Sequence, residues 1–318
     1  MKPRLPSPAT LGPLVALVLA CAFFGMRSER FLTGDNLSIV LQQVMVVGVI
    51  AVGQTLIILT AGVDLSCGMV MALGGIVMTT LAVEHGVPVP IAIGCGVGAT
   101  TAFGFINGLL VTRLALPPFI VTLGTLNIAF AITQLYSKAQ TITDVPDSMT
   151  ALGGTFQVGN TAVVYGAVVM LLLYVVATYV LTQTAAGRHV YAVGNNPEAA
   201  RLSGIATPRV LLGVYVVAGI CYGIAALLSV ARTGVGDPNA GQAENLEAIT
   251  AVVLGGTSLF GGRGAMFGTL VGALVVGVFR NGLTLIGVSS VYQVLVTGVL
   301  VILAVATDQL ARRGGRAT

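Results

Sequence analysis

Asp64 interrupts an otherwise apolar stretch. It stands in Thr60-Ala61-Gly62-Val63-Asp64-Leu65-Ser66-Cys67-Gly68, between two runs long enough to cross a bilayer, with no conventional loop between them. An aspartate at the centre of a membrane helix costs about 2.5–3.5 kcal/mol, so its carboxylate must face protein or a water-filled path. Two compatible roles follow: a helix N-cap, accepting amides as the next helix begins, and, with Ser66, a place in a solute path or gate. A second interruption, Gly255-Gly256-Thr257-Ser258-Leu259-Phe260-Gly261-Gly262, offers the hydroxyls of Thr257 and Ser258. Polar residues inside apolar runs are Gln42, Gln43, Gln54, Asn107, Asn127, Gln134, Asn281 and Gln293. Interhelical hydrogen bonding is the default for each. Gln54, Asn107 and Asn127 are the candidates for lining a path, since a neutral solute rich in hydroxyls needs amide and hydroxyl partners.

Catalytic patterns do not assemble. The two lysines, Lys2 and Lys138, do not follow a glycine, so there is no Gly-x-x-x-x-Gly-Lys phosphate loop for ATP. His85 and His189 read as loop residues without metal-ligand spacing. Cys21, Cys67, Cys95 and Cys221 form no C-x-x-C pair and read as helix-packing residues. Neither a metal, a bound cofactor nor an enzyme activity is expected of this chain. Basic residues are scattered singly, so the net charge of +4 is no signal for nucleic acid.

The elements that must position these residues are membrane helices. Of 318 residues 56% are hydrophobic and 8% charged, and the mean hydropathy is +0.97. A soluble domain carries about 25% charged residues, so the chain belongs in lipid. Apolar runs fall at 11–26, 37–60, 65–83, 89–112, 118–137, 161–181, 210–231, 246–259, 264–286 and 290–307. At about 20 residues per crossing, they predict an all-α polytopic bundle of about ten spans, with 246–259 short enough to be re-entrant or half of a broken helix. The whole of 1–318 then makes one transmembrane domain. The 42 glycines, nearly twice the usual share of about 7%, suit helices packed backbone to backbone. Lys2, Arg4 and the apolar stretch up to Cys21 also allow a signal sequence ending at a lipoprotein-like cysteine, though a first span is the simpler account.

With the N-terminus inside, ten spans put the C-terminus inside and leave ten basic residues inside against five outside, Arg280 among the five, as the positive-inside rule asks, and Glu247 is counted with the outside acids. Segments 138–160 and 232–245 are then outside, and 182–209 is the main inside loop. None reaches the size of an independent domain. The two interruptions align at an offset of 194 residues, Gly62-x-x-Leu65-x-x-Gly68 on Gly256-x-x-Leu259-x-x-Gly262, with Gly74 on Gly268. Matching breaks in two halves are a mark of repeat-built transporters. Gly264, Gly268 and Gly272 read as a helix-contact stripe.

The inside loop carries Gly194-Asn195-Asn196-Pro197-Glu198-Ala199-Ala200-Arg201-Leu202-Ser203-Gly204-Ile205. Asn196 suits an N-cap, Pro197 the first helical position, Glu198 the positive helix end and Gly204 the stop. A short amphipathic helix is predicted on the cytoplasmic face, either a solvated connector or a docking element for another protein.

These strings, with Gly62-Val63-Asp64-Leu65-Ser66 and Ala251 to Gly262, resemble the ribose-type permeases of bacterial ABC sugar importers. The resemblance extends over nearly the whole chain; Cys67 stands where that family more often has valine. It implies a multi-pass inner-membrane subunit, both termini cytoplasmic, forming the path for a pentose or hexose. It also implies two permeases, identical or homologous, seated on cytoplasmic ATPases that bind ATP and Mg, with a periplasmic sugar-binding protein delivering the cargo to the 138–160 and 232–245 loops. There Asp144, Asp147, Asp237 and Glu244 would meet basic groups. Asn196, Glu198, Ala200, Arg201 and Gly204 would form the coupling element that docks on the ATPase. Nucleosides, autoinducer-type sugars or branched-chain amino acids are other cargo open to the same importer type. An ion- or proton-driven carrier is the rival from another class, with Asp64 the one clear intramembrane acid for coupling.

Overall fold

The computed structural model describes residues 8–159 and 161–299, with positions 302 and 306. Lys2, Arg4, Arg312, Arg313, Arg316 and the end of the 290–307 run lie outside the described residues, and part of the charge argument for orientation lies with them. The elements are α1 (Pro8–Arg27), α2 (Gly34–Leu59), α3 (Cys67–Val83), α4 (Val89–Arg113), α5 (Pro118–Tyr136), α6 (Asp147–Thr150), β1 (Thr155–Val158), β2 (Thr161–Val164), α7 (Tyr165–Gln183), α8 (Ala185–Asn195), α9 (Pro197–Leu202), α10 (Thr207–Thr233), α11 (Glu244–Leu254) and α12 (Met266–Leu285). A last apolar helix, α13, covers Ser290–Val299.

Each of the ten apolar runs carries a helix. Among the described residues α2, α4, α5, α7, α10 and α12 are long and apolar enough to cross a membrane. The protein is a polytopic helical bundle. α3, with 17 residues, and α11, with 11, fall short of a full crossing because the chain next to them is not helical. Two departures from the sequence reading are local. The run at 161–181 does not begin as helix: Thr161-Ala162-Val163-Val164 pairs antiparallel with β1, Thr155 facing Val164, and α7 starts only at Tyr165. Three of those four residues are β-branched, which favours a strand, and Gly159 (φ +62°) helps to turn the hairpin. His189 lies on α8, a helix that sequence reasoning missed, started by the Thr184 hydroxyl accepting from the amide of Gly187 at 3.3 Å.

α2 sits at the centre. In its most apolar stretch 78% of residues are buried, against 22% in α4 and 33% in α7, which turn their outer faces to the surroundings. Small residues let the backbones close. A Cβ on Gly53 of α2 would lie 3.0 Å from the backbone of Ala218, and one on Gly219 of α10 would lie 2.6 Å from the carbonyl of Thr100 on α4. The predicted stripe on α12 behaves likewise: Gly268 and Gly272 press on the carbonyls of Gly255 and Ala251. Of the cysteines, Cys67 and Cys221 are buried as packing residues, Cys21 is half-buried and Cys95 is exposed on α4.

The two ends of the bundle differ. At one end the tip of α2, the α8–α9 pair and the 255–264 segment meet. At the other, Ile142 pairs with Gly236 across the 138–146 and 234–243 segments, Gly236 presses on Thr79 near the end of α3, and Gly153 presses on the carbonyl of Ala231.

Candidate functional site

The break at Thr60–Ser66 is non-helical chain in which Thr60, Gly62, Asp64 and Ser66 are buried. Its carbonyls need donors there, because lipid supplies none. Three consecutive ones are met by side chains from three helices. Thr122 Oγ1 of α5 reaches Val63 O (3.2 Å) while also bonding Pro118 O of its own helix (2.9 Å), Gln54 Nε2 of α2 donates to Asp64 O (3.2 Å), and Asn245 Nδ2 of α11 to Leu65 O (3.3 Å). Ala61 turns the chain with φ +62°.

Asp64 is 1% exposed. Its Oδ1 accepts from the amide of Ser66 (2.8 Å) and from the Ser66 hydroxyl (2.6 Å). This is an Asx turn ahead of α3. The N-cap position of α3 expected for Asp64 falls two residues later: Ser66 holds it, and no side chain bonds the helix amides there. Oδ2 accepts from Tyr222 of α10 at 3.2 Å; the same hydroxyl lies 3.3 Å from Gln54 Oε1, so its one proton serves two acceptors in turn. Asn107 Nδ2 of α4 donates to Ser66 Oγ at 3.1 Å. One carboxylate, two amides and two hydroxyls from α2, α4, α10 and the break are therefore one buried network. Asn107 Oδ1 and the hydroxyl of Tyr215, which lies beside Gly62, are buried with no partner among the described residues.

The other candidates are placed elsewhere. Asn127 is exposed on α5 and donates back to its own helix at Leu123 O (3.0 Å), apart from the network. Thr257 and Ser258 are buried in the second break. Ser258 shapes that turn, its amide donating to Arg263 O (2.9 Å), while Thr257 Oγ1 has no partner among the described residues. Of the remaining amides, Asn281 joins helices by donating to Asn36 Oδ1 (2.9 Å), Gln134 reaches Asn239, and Gln42 bonds within its own helix.

α9 forms as its sequence dictates. Asn196 Oδ1 accepts from Glu198 N (3.1 Å) and Ala199 N (3.0 Å), Pro197 opens the helix, and Gly204 leaves it at φ +85°. Glu198 and Arg201 pair side by side through two hydrogen bonds, 3.2 and 2.6 Å, both side chains exposed. The Arg201 guanidinium holds the Glu198 carboxyl below its usual value, first through the hydrogen bonds and then through charge. Ala200 faces inward. Gly194, at the end of α8, touches Leu59 O at the tip of α2 so closely that no side chain fits. Gly262 N donates to that same carbonyl (2.9 Å), and Tyr191 of α8 donates to Gly264 O (2.9 Å). The inside-loop string and both breaks thus form one junction.

Sequence reasoning missed Tyr222 and Tyr215. The signal was present: two phenols seven residues apart fall on one stripe of a helix, and a buried tyrosine hydroxyl seeks a partner. It also placed Glu247 and Arg280 in outside segments. They stand on α11 and α12, with Arg280 Nη1 at 3.0 Å from each carboxylate oxygen of Glu247, so Asp64 is not the one acid within the bundle.

A bundle of membrane helices with two breaks, an amide- and hydroxyl-rich network at one of them and a solvent-facing helix tied to both is the build of a membrane transport subunit. The chain belongs to the family described as the permease component of branched-chain amino acid transport systems, whose model matches residues 36–305. It is similar to the fructose import permease protein of Rhizobium meliloti, 45% identical over 313 residues covering 96% of this chain and 87% of that protein. The ribose import permease of Escherichia coli K12 is 39% identical over 297 residues, 93% of this chain and 92% of the relative. The D-allose transport system permease of the same bacterium is 36% identical over 301 residues, 94% and 91% of the two chains.

Proposed function

We propose that this chain is the permease subunit of an ATP-driven monosaccharide importer in a bacterial inner membrane, crossing about ten times with both ends cytoplasmic. The observation that carries the reading is the junction of Gly194, Leu59 and Gly262, which ties an exposed, capped helix to both breaks in the bundle. A push on α9 reaches the Thr60–Ser66 segment through α8 without crossing a flexible linker. The relatives named for fructose, ribose and allose favour a sugar over a branched-chain amino acid as cargo. ATP and Mg would be bound by separate ATPase chains docked on Asn196–Gly204, a second permease subunit would complete the path, and the chain itself would carry no cofactor. A periplasmic binding protein would meet the opposite end. There Asp144 and Asp147 are exposed, whereas Asp237 and Glu244 are partly drawn in, so the first two are the docking acids.

In the mechanism, ATPase closure displaces α8–α9, the junction moves the tip of α2 and the 255–264 segment together, and the bundle alternates between openings. The Asp64–Ser66–Asn107–Gln54–Tyr222 network fixes the first break in each state. The test is uptake into proteoliposomes holding this chain, its co-purified ATPase and the binding protein, with a panel of labelled sugars. Uptake that requires internal ATP and the binding protein is expected. Uptake by this chain alone, driven by a proton or sodium gradient, would overturn the reading and turn attention to Asp64.

A further inference from the structure

A chemically furnished cavity lies where α11, α12 and α13 splay. It has a volume of about 530 Å³, in the range of small-molecule sites. Its walls are mostly apolar, with Phe279 and Leu283 of α12 among them, and its polar groups are few: Glu247 and Thr250 of α11, Arg280 of α12 and Gln293 of α13. Apolar walls with a few convergent polar groups are what orient a bound small molecule.

Glu247 is 8% exposed, and a carboxylate so placed within a membrane bundle is costly unless it has a task. Its two oxygens take only Nη1 of Arg280, leaving Nε and Nη2 of the guanidinium without an acceptor among the described residues. Gln293 spends its Nε2 on Thr284 Oγ1 and Val288 O (3.1 and 2.9 Å), and its Oε1 is likewise open. Donors and acceptors therefore line one cavity, as a ligand bearing several hydroxyls requires, each hydroxyl giving one hydrogen bond and accepting others. Charge narrows the ligand further. Arg232 and Glu244 line a second cavity, of about 290 Å³, which shares Gln242 and Ala243 as a wall with the first. With Asp237, which also lines the second cavity, two arginines face three carboxylates around the start of α11, so an anion is disfavoured against a neutral polyol. The site adjoins the 234–243 segment at Gln242 and Ala243.

We infer that the cavity between α11, α12 and α13 is a monosaccharide-binding site in the permease itself, with Glu247, Arg280 and Gln293 hydrogen-bonding the sugar hydroxyls. This rests on the sugar-importer reading and specifies where in the chain the cargo is held. The site takes cargo at the receiving end before the bundle turns.

The chain has no tryptophan, so Phe279→Trp places a single fluorophore in the cavity wall. The purified permease, without ATPase or binding protein, is titrated with D-ribose and D-fructose. A saturable fluorescence change in the millimolar range is expected, weakened at least tenfold by Glu247→Gln or Arg280→Gln. The charge-swapped pair Glu247→Arg with Arg280→Glu rebuilds the ion pair and should restore the melting temperature without restoring the sugar response. A sugar-independent signal, a response that survives Glu247→Gln, or one restored by the swap would each overturn the site and leave a structural ion pair. A response to phosphatidylglycerol vesicles in place of sugar would overturn it in favour of lipid. If Phe279→Trp does not fold, Leu283→Trp on the same wall replaces it. Failure of ATP-driven uptake alongside an intact sugar response would sink the importer mechanism and not this site.

Discussion

Consider Gly194→Ala, a single added methyl at the end of α8. The Cβ would overlap the Leu59 carbonyl oxygen and lie 2.7 Å from Gly262 N and 2.9 Å from Leu59 C. Ordinary contacts for such atoms are about 3.5–4.0 Å, so the overlap with the Leu59 oxygen forces the junction to open by about 1.5–2 Å. All three atoms are backbone, and no rotamer change relieves them. Overpacking of this kind costs about 1–3 kcal/mol. Opening the gap also weakens the Gly262 N–H to Leu59 O bond (2.9 Å), worth about 1 kcal/mol. The total is about 2–4 kcal/mol, concentrated where α8, the tip of α2 and the second break meet. Gly213→Ala on α10 is the matched control: its Cβ meets nothing within 4 Å, and replacing a helical glycine gains about 0.5–1 kcal/mol. Melting temperature in detergent and the ratio of sugar transported to ATP hydrolysed are measured for both. Gly194→Ala should melt lower and transport less per ATP, whereas Gly213→Ala should match or exceed the parent in both. Equal behaviour of the two variants would refute the junction as the transmission point.

Further expectations follow from the same contacts. Asp64→Asn keeps an oxygen for the Ser66 donors and lets Tyr222 donate to Gln54, so folding and ATP-driven uptake should persist. Asp64→Leu strands those donors, at about 1–3 kcal/mol each, and should not yield a stable protein; loss of uptake in a well-folded Asn variant would instead mean that the charge itself is used. Tyr222→Phe removes the donor shared by Asp64 and Gln54 and should cost about 1–3 kcal/mol, while Tyr215→Phe, whose hydroxyl has no partner, should be neutral or stabilising in the same melts. Arg201→Glu sets two carboxylates one turn apart, and Gly204→Pro is incompatible with φ +85°; both should leave the fold intact and uncouple hydrolysis from uptake, and normal transport by both would remove the docking role of α9. Because Glu198 is held below its usual pKa, its pairing with Arg201 is fully present above the ordinary carboxylate range and is lost only as pH falls through the lowered value. NMR titration of the Glu198 carboxyl should show that depressed midpoint, moving back up in Arg201→Gln.

What was legible in the sequence was local. The cap pattern at Asn196-Pro197-Glu198 specifies α9 because all its partners lie within three residues. The break around Asp64 is legible because polarity in lipid has few explanations. The positions that complete the site were not, because they depend on which helices become neighbours. Tyr222 is 158 residues from Asp64, and Glu247 is 33 from Arg280. Charge alone places Arg280 in a loop, since a lone arginine in a helix reads as a boundary until its partner is seen. Asn127 shows the converse: its residue type suits a path, but α5 turns it outward and its amide is spent on its own helix. The α8 helix was legible but missed: Thr184 suits an N-cap, and Gly187, Val190, Val193 and Gly194 recur at helical spacing on its buried face.

The two breaks have complementary parts. The first is held by side chains: Thr122, Gln54 and Asn245 each take one of three consecutive carbonyls, so α5, α2 and α11 cannot shift independently without exposing a backbone oxygen in a place where water is scarce. The second is held by backbone, through tight turns at Gly256, Gly261 and Gly262 and the bond from Gly262 to the tip of α2. A backbone joint transmits displacement with little slack, whereas a set of side-chain hydrogen bonds can exchange partners, as the single proton of Tyr222 between Gln54 and Asp64 already allows. The stiff joint faces α8–α9, where force would enter. Deeper in the bundle, Gly68 and Gly241 press backbone to backbone, so the side-chain network borders the 234–243 segment that leads to the charged cavities. Motion entering at the glycine joint would therefore reach the cargo end through a network able to hold more than one arrangement, the requirement for alternating rather than merely flexing.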